Sequence, residues 1–391
     1  MTTGMNLAGR YTLHPGMTPS IEGHRPVMGD GVLGRLLRGQ QGESVEHTLA
    51  QVFSLCSHAH RRTARLALNA ANPSLETPLP EQPPVFLWLE TARDHLRSIA
   101  MAWPQRQTGQ PLEPDHLDWL RNCPLSLGVV AQASHENDAW DALTRLRRWV
   151  EDSLLGQPVG SWLIRHREPD AFGSWCRSHA PTLPPAQLLH TWYVQTRDMV
   201  PATRSLDLLN TNPAQQAATM TDMAHAMAST ANFVQRPTWL GQCAETGPWT
   251  RLRHRNKTAT APQTIWTRLS ARWIELLEFA AIKPHTPVQP KSPLLASGAV
   301  RVGEGQAIAW CEMARGLLLH WVQLDAQGRV ADYRVLAPTE WNFHPQGVLA
   351  KALTTLKPHD TVSAWALAAA FDACVECQVS DPDFLETPCM N

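Results

Sequence analysis

The sequence has almost no excess of either charge: 34 Lys and Arg stand against 35 Asp and Glu in 391 residues, for a formal net charge of −1. That balance excludes general binding to nucleic acid or to an anionic membrane, since both require a strong basic excess. No apolar run is long enough to span a bilayer, and the opening MTTGMNLAGRYTLHPGM lacks an apolar core of signal-peptide length. The expected compartment is therefore the cytoplasm, with no membrane and no nucleic acid as partner. Repeats and low-complexity tracts are absent as well, which argues against a solenoid or a disordered linker protein. Apolar residues make up 43% of the chain, enough to bury a large core.

In a reducing compartment the eight cysteines are expected as thiols rather than a disulfide framework. Cys123, Cys176, Cys243 and Cys311 fit the common role of small buried hydrophobes, and Cys389 is expected to be exposed. The sixteen tryptophans are expected to fill cores and crevices. Cys56, Cys374 and Cys377 are different because of what surrounds them.

SIEGHRPVMGDGVLGRLLRG reads as an extended segment leading into a helix. Helical spacing of Val45, Leu49, Val52, Phe53, Cys56, Ala64 and Ala67 predicts one helix over 43–69. Further helices are predicted over 86–101, ending at Trp103-Pro104, and from Asn137 or Asp138 to a stop at Gly156. Segments 184–200, 213–233 and 264–281 also have helical character. Four strands are predicted at 299–302, 307–312, 317–324 and 329–336, with Gly328 in a turn, and then helices near 346–356 and 361–377, the second opened by Asp360. The predicted class is α+β, mainly α, with a small sheet near the C-terminal end. A single domain is expected over 1–391, with proline-rich connectors near 72–84 and 283–293.

Cys374-Val-Glu-Cys377 alone is a weak signal: a CxxC suits a redox pair, half a zinc site, or two unrelated thiols. No second CxxC completes a four-thiolate zinc site, and His179, His285 or His359 would do so only through tertiary placement. Cys56 and His60, four residues apart, would share one face of the predicted helix, where a packing histidine and a buried thiol are an ordinary alternative.

Four separated stretches change the weight of these residues. They are Ile21-Glu22-Gly23-His24; Gln51-Val-Phe53-Ser-Leu-Cys56 with His60; Glu312-Met-Ala-Arg315-Gly316-Leu-Leu-Leu-His320 with Tyr333 and Pro338-Thr339-Glu-Trp341-Asn342-Phe-His-Pro345; and Phe371-Asp372-Ala-Cys374-Val-Glu-Cys377. Together and in this order they resemble the large subunit of the nickel–iron hydrogenases, whose helical fold the resemblance implies. The region about 80–295 carries no matching motif.

In that family four thiolates hold a nickel–iron centre, and the second cysteine of each pair bridges both metals. Carried over, Cys56 and Cys377 match the bridging positions and Cys374 one nickel-only position. The other nickel-only position is Phe53, which cannot donate to a metal. The resemblance thus implies an iron-binding site with no nickel expected. The family's iron carries cyanide and carbonyl ligands. Burying a dianionic Fe(CN)2CO–dithiolate unit requires compensating charge and hydrogen bonds. Arg315 matches the arginine that neighbours this group, its alternative being an ordinary ion pair; Thr339 is placed to donate to a cyanide, Phe53 to wall the carbonyl, and His60 to orient a cysteine sulfur.

Two departures bear on activity. Gly34 stands where the family has a proton-carrying glutamate, and Ser380 where it has the histidine after which a protease trims the tail. The tail through Asn391 is therefore expected to stay attached. Glu22 matches a magnesium ligand whose His or Gln partners at the tail are not evident. This combination resembles the non-catalytic accessory proteins of the HupK/HoxV type. The resemblance implies a maturation scaffold that takes Fe(CN)2CO from a chaperone of the HypC type and passes it to the hydrogenase large subunit. The alternatives are a metal-free chaperone or regulator of assembly, and a divergent nickel–iron oxidoreductase.

Overall fold

A computed structural model describes residues 8–29, 31–72, 78–80, 82–108, 110–125, 135–201, 212–255, 263–284 and 294–380. His285, Cys389, most of the 283–293 connector, part of the 72–84 connector and the tail beyond 380 lie outside the described residues. The chain divides into two compact units, one formed by 1–81, 202–250 and 295–391, the other by 82–201 and 251–294.

In the first unit, strands β1 (Arg10–Leu13) and β2 (Ile21–His24) form an antiparallel pair, followed by helices α1 (Val32–Leu37), α2 (Glu43–Val52) and α3 (Ser57–Ala71). β3 (Ser297–Gly303), β4 (Gln306–Met313), β5 (Gly316–Leu324) and β6 (Val330–Leu336) form an antiparallel meander in sequence order. β7 (Glu376–Val379) then returns to pair in parallel with β1, which sets Cys377 opposite Tyr11. The meander is the predicted small sheet; the three-stranded β2-β1-β7 sheet was not foreseen.

The near-continuous apolar run of β5 follows from cover on both faces. Leu317, Leu319 and Trp321 pack with Met220, Met223 and Met227 of the helix Pro213–Ser229. The alternate residues of a strand face the other way, and on that side His320 meets His60 of α3. Buried Ala59, Thr63, Ala64 and Ala67 give α3 a small-residue surface.

The predicted helix over 43–69 is two helices. Phe53 (φ −114°, ψ 55°) and Cys56 (φ −127°, ψ 39°) leave the helical region on either side of a 3-10 turn. An apolar stripe alone does not report such a break. The helix predicted over 361–377 ends at Phe371, where Asp372 adopts a left-handed conformation (φ 45°), so Cys374 and Cys377 lie beyond it. Asp is among the few residues that tolerate this geometry.

The second unit is helical. The buried helix Ile265–Ala281 lies at its core, with Trp162, Phe172, Trp175, Trp266 and Trp273 packed in T-shaped, tilted and stacked pairs. The helix Pro84–Arg97 does not stop at Trp103-Pro104 as predicted. It runs through a π turn (Ser98–Ala102) into Trp103–Thr108, with Pro104 inside the continued helix just after the π turn. Glu136–Trp149 continues through a second π turn to Gly156 (φ 61°), the predicted terminator. Helices Val159–His166 and Pro169–His179 were not anticipated. Arg251 donates to both carboxylate oxygens of Glu275 (2.7 and 2.5 Å), and His95 Nε2 lies 2.8 Å from the same group, all fully buried. Burial opposes the charge of Glu275, but Arg251 and His95 hold its carboxyl well below the usual range.

Candidate metal centre

The cysteine motifs lie in short irregular segments of the first unit. Cys56 ends the 3-10 turn between α2 and α3, Cys374 sits in the bend after the helix Thr361–Phe371, and Cys377 is in β7. All three thiols are half-buried, unlike Cys176 and Cys311, which are fully buried as expected. Cys123 and Cys243 are only half-buried, and Cys243 Sγ lies 3.1 Å from His344 Nδ1.

Two side chains feel the charge of these thiols. Arg25 is within electrostatic reach of Cys374 and Cys56, and Tyr11 of Cys374 and Cys377. Burial works against the charge of Arg25, yet Cys374, Glu340, Tyr11 and Cys56 hold its guanidinium above its ordinary range. Burial, with Glu340, likewise pushes the Tyr11 phenol up. Arg25 donates from one terminal nitrogen to both oxygens of Glu340 (3.1 and 3.2 Å), with the two side chains 5% and 2% exposed. Burial nevertheless raises the Glu340 carboxyl, the ion pair offsetting only part of the desolvation. The Nε of Arg25 has no hydrogen-bond partner among the described residues, a state that costs about 1–3 kcal/mol for a buried donor.

Arg315 lies with its Nε 3.7 Å from Asp372, both buried, so it does form an ion pair, and with the residue that ends the helix before Cys374. The backbone around it is fixed by Thr246. That residue and Asn342 exchange hydrogen bonds (3.1 and 2.9 Å), and its hydroxyl accepts from the Leu317 N–H (2.9 Å). Gly316 (φ 135°) allows this approach: a Cβ there would meet the Thr246 hydroxyl at 2.8 Å. Thr339 Oγ1 lies 3.3 Å from Cys374 Sγ and accepts a long bond from the Cys374 N–H (3.5 Å).

Phe53 is buried and stacks face to face on His60, with ring centroids 3.9 Å apart and planes within 6°. The Nδ1 of His60 shares a hydrogen bond with His320 Nε2 (3.0 Å), and His320 Nδ1 another with the Tyr333 hydroxyl (2.7 Å). Burial, then His320 and Arg25, push the imidazole of His60 well down; burial lowers His320 to about 3. Both rings are neutral at physiological pH. A Cβ on Gly34 would meet Asp332 Oδ1, and Ser380 shares a 2.6 Å hydrogen bond with His14, whose Nε2 lies 3.5 Å from Glu22.

Among the described residues no three His, Cys, Asp or Glu side chains stand close enough to hold one metal ion together. The donors on hand are soft thiols, which suit iron with strong-field ligands, and buried Arg25 and Arg315 supply cations for an anionic group. These are the residue types that a cyanide-bearing iron anion would call on, although the described thiols are not gathered around one point. Sequence reasoning missed Arg25, Glu340 and Thr246. Arg25 directly follows the IEGH motif and Glu340 lies inside the PTEWN motif, so a buried pair between two recognised motifs was the available signal.

Comparison with known proteins identifies the family. Residues 288–380 match the nickel-dependent hydrogenase family. The hydrogenase expression/formation protein HoxV of Cupriavidus necator is 36% identical over 392 residues, covering 96% of each chain. HupK of Bradyrhizobium diazoefficiens, also a hydrogenase expression/formation protein, is 27% identical over 350 residues and 88% of each chain. Among solved structures, an NAD+-reducing [NiFe]-hydrogenase in the H2-reduced state is similar with a TM-score of 0.47 and 15% identity, over 90% of this chain and 92% of that one. No described helix is long and apolar enough to cross a membrane. The chain belongs to the HupK/HoxV family of hydrogenase expression/formation proteins, relatives of the nickel–iron hydrogenase large subunit.

Proposed function

We propose that this chain acts in hydrogenase maturation as a non-catalytic scaffold, carrying Fe(CN)2CO on the thiolates of Cys56 and Cys377. A chaperone of the HypC type is the donor and the catalytic large subunit the recipient. The observation that carries this reading is Phe53, packed flat on a neutral His60 beside Cys56. By the motif resemblance, Phe53 stands at the position of a fourth thiolate that nickel would need, while the cysteines matching the iron-side positions are kept. Arg25 and Arg315 offset the charge of the cargo, and Thr339, next to Cys374, is a hydroxyl available to it. Half-burial of the three thiols suits loading and release, which a resident cofactor does not need.

The test is hydrogenase maturation in a strain whose own copy is replaced by a variant. Cys56→Ser and Cys377→Ser abolish maturation, and Cys374→Ser is milder because that position faces nickel in the enzymes. A metal-free assembly factor gives the opposite result, with maturation intact in both of the first two variants.

A further inference from the structure

A cavity of about 850 Å³ opens in the first unit, lined among others by Tyr11, Arg25, Glu340, Arg236 and Lys351. Three of these five residues carry positive charge. Arg236 and Lys351 are exposed, whereas Arg25 is 5% exposed and keeps one donor, Nε, without a partner among the described residues. Glu340, the principal acid of the lining, is already committed to Arg25. Glu22, the other lining acid, is largely exposed and lies beside His14.

Arg25 belongs to two places at once. It lines the cavity beside Tyr11, whose register partner across the β1–β7 pair is Cys377, and its charge acts on Cys374 and Cys56. We infer that the cavity is an anion-binding vestibule of the cysteine site, in which Arg236 and Lys351 attract a nitrile-bearing iron anion and Arg25 receives it before the thiols do. The Arg25 guanidinium at the cavity wall meets a cyanide nitrogen by a charge-assisted hydrogen bond. Glu340 holds Arg25 in the meantime, so that the buried cation is not left uncompensated before the anion arrives. The identity of the natural anion rests on the proposed function; the anion site itself does not.

The probe is hexacyanoferrate(II), titrated calorimetrically into the full-length protein at fixed ionic strength, with the C≡N stretch followed by infrared spectroscopy. The wild-type chain is expected to bind one equivalent. Arg25→Gln weakens binding by about tenfold or more, Arg25→Lys by less, and Glu340→Gln tightens it by releasing Arg25. Should Arg25→Gln not fold, the exposed double variant Arg236→Ala/Lys351→Ala must show the same direction of loss. Absence of saturable binding by the folded wild type, or equal affinity in that double variant, overturns the inference. Cys56→Ser and Cys377→Ser run alongside and keep the anion affinity. If those variants also mature hydrogenase normally, the cargo reading fails while the vestibule stands.

Discussion

His60 and His320 share one hydrogen bond at 3.0 Å, fully buried, with Phe53 stacked on the far face of the first ring. Neither ring can accept a second proton without placing a charge in an apolar layer between α3 and the meander. The folded His320 titrates at about 3, against 6.5 for an ordinary histidine. Its contribution to stability is thus fully present above about pH 6.5 and is lost as pH falls toward 3. Relative to His320→Gln, the wild type should lose about 2 kcal/mol between pH 6.5 and pH 5. Denaturant midpoints of both proteins across that range measure it, and parallel curves would contradict it.

A side chain at position 34 requires the Asp332 carboxylate to move. A Cβ there meets Asp332 Oδ1, and that oxygen already accepts from the Tyr333 N–H at 2.8 Å. Gly34→Glu adds overpacking to a like-charge contact and should cost about 2–3 kcal/mol. Asp332→Gly in the same chain should recover most of it, a coupling that a double-mutant cycle of thermal melts will read. Additive losses would show that the two residues do not interact.

In the second unit, Glu275 compensates Arg251 and shares a hydrogen bond with His95, with no solvent to help. Glu275→Ala leaves Arg251 buried without its carboxylate and should destabilise the protein by about 3–5 kcal/mol. Exchanging the cluster for apolar residues of similar volume should cost much less. Calorimetric melts of the two variants decide between a pair kept for stability and one whose breakage alone is costly.

The meander was legible because its strands are short, rich in branched and aromatic residues, and separated by turns such as the one at Gly328. The start at Asp360 was legible from its capping side chain, which accepts from the Ser363 N–H. Where the apolar pattern continued through an irregular turn, it misled: Val52-Phe53 and Phe371 read on as helix although the backbone leaves it there. The pairing of β1 with β7 joins segments more than 360 residues apart, and no local pattern specifies it. Cys374, Cys377, Cys56 and Arg315 were found through motifs. The Arg25–Glu340 pair, although both residues stand in or beside recognised motifs, and the His60–His320 contact were not read because each joins residues hundreds of positions apart.

The most direct test of iron carriage is an infrared spectrum of the protein purified anaerobically after co-expression with its maturation machinery, with metal analysis of the same sample. Bound carbonyl and cyanide absorb where polypeptide is nearly silent. The account predicts such bands with iron present and nickel absent, and their loss in Cys377→Ser. A blank spectrum from intact wild-type protein would contradict it and favour a metal-free role in assembly.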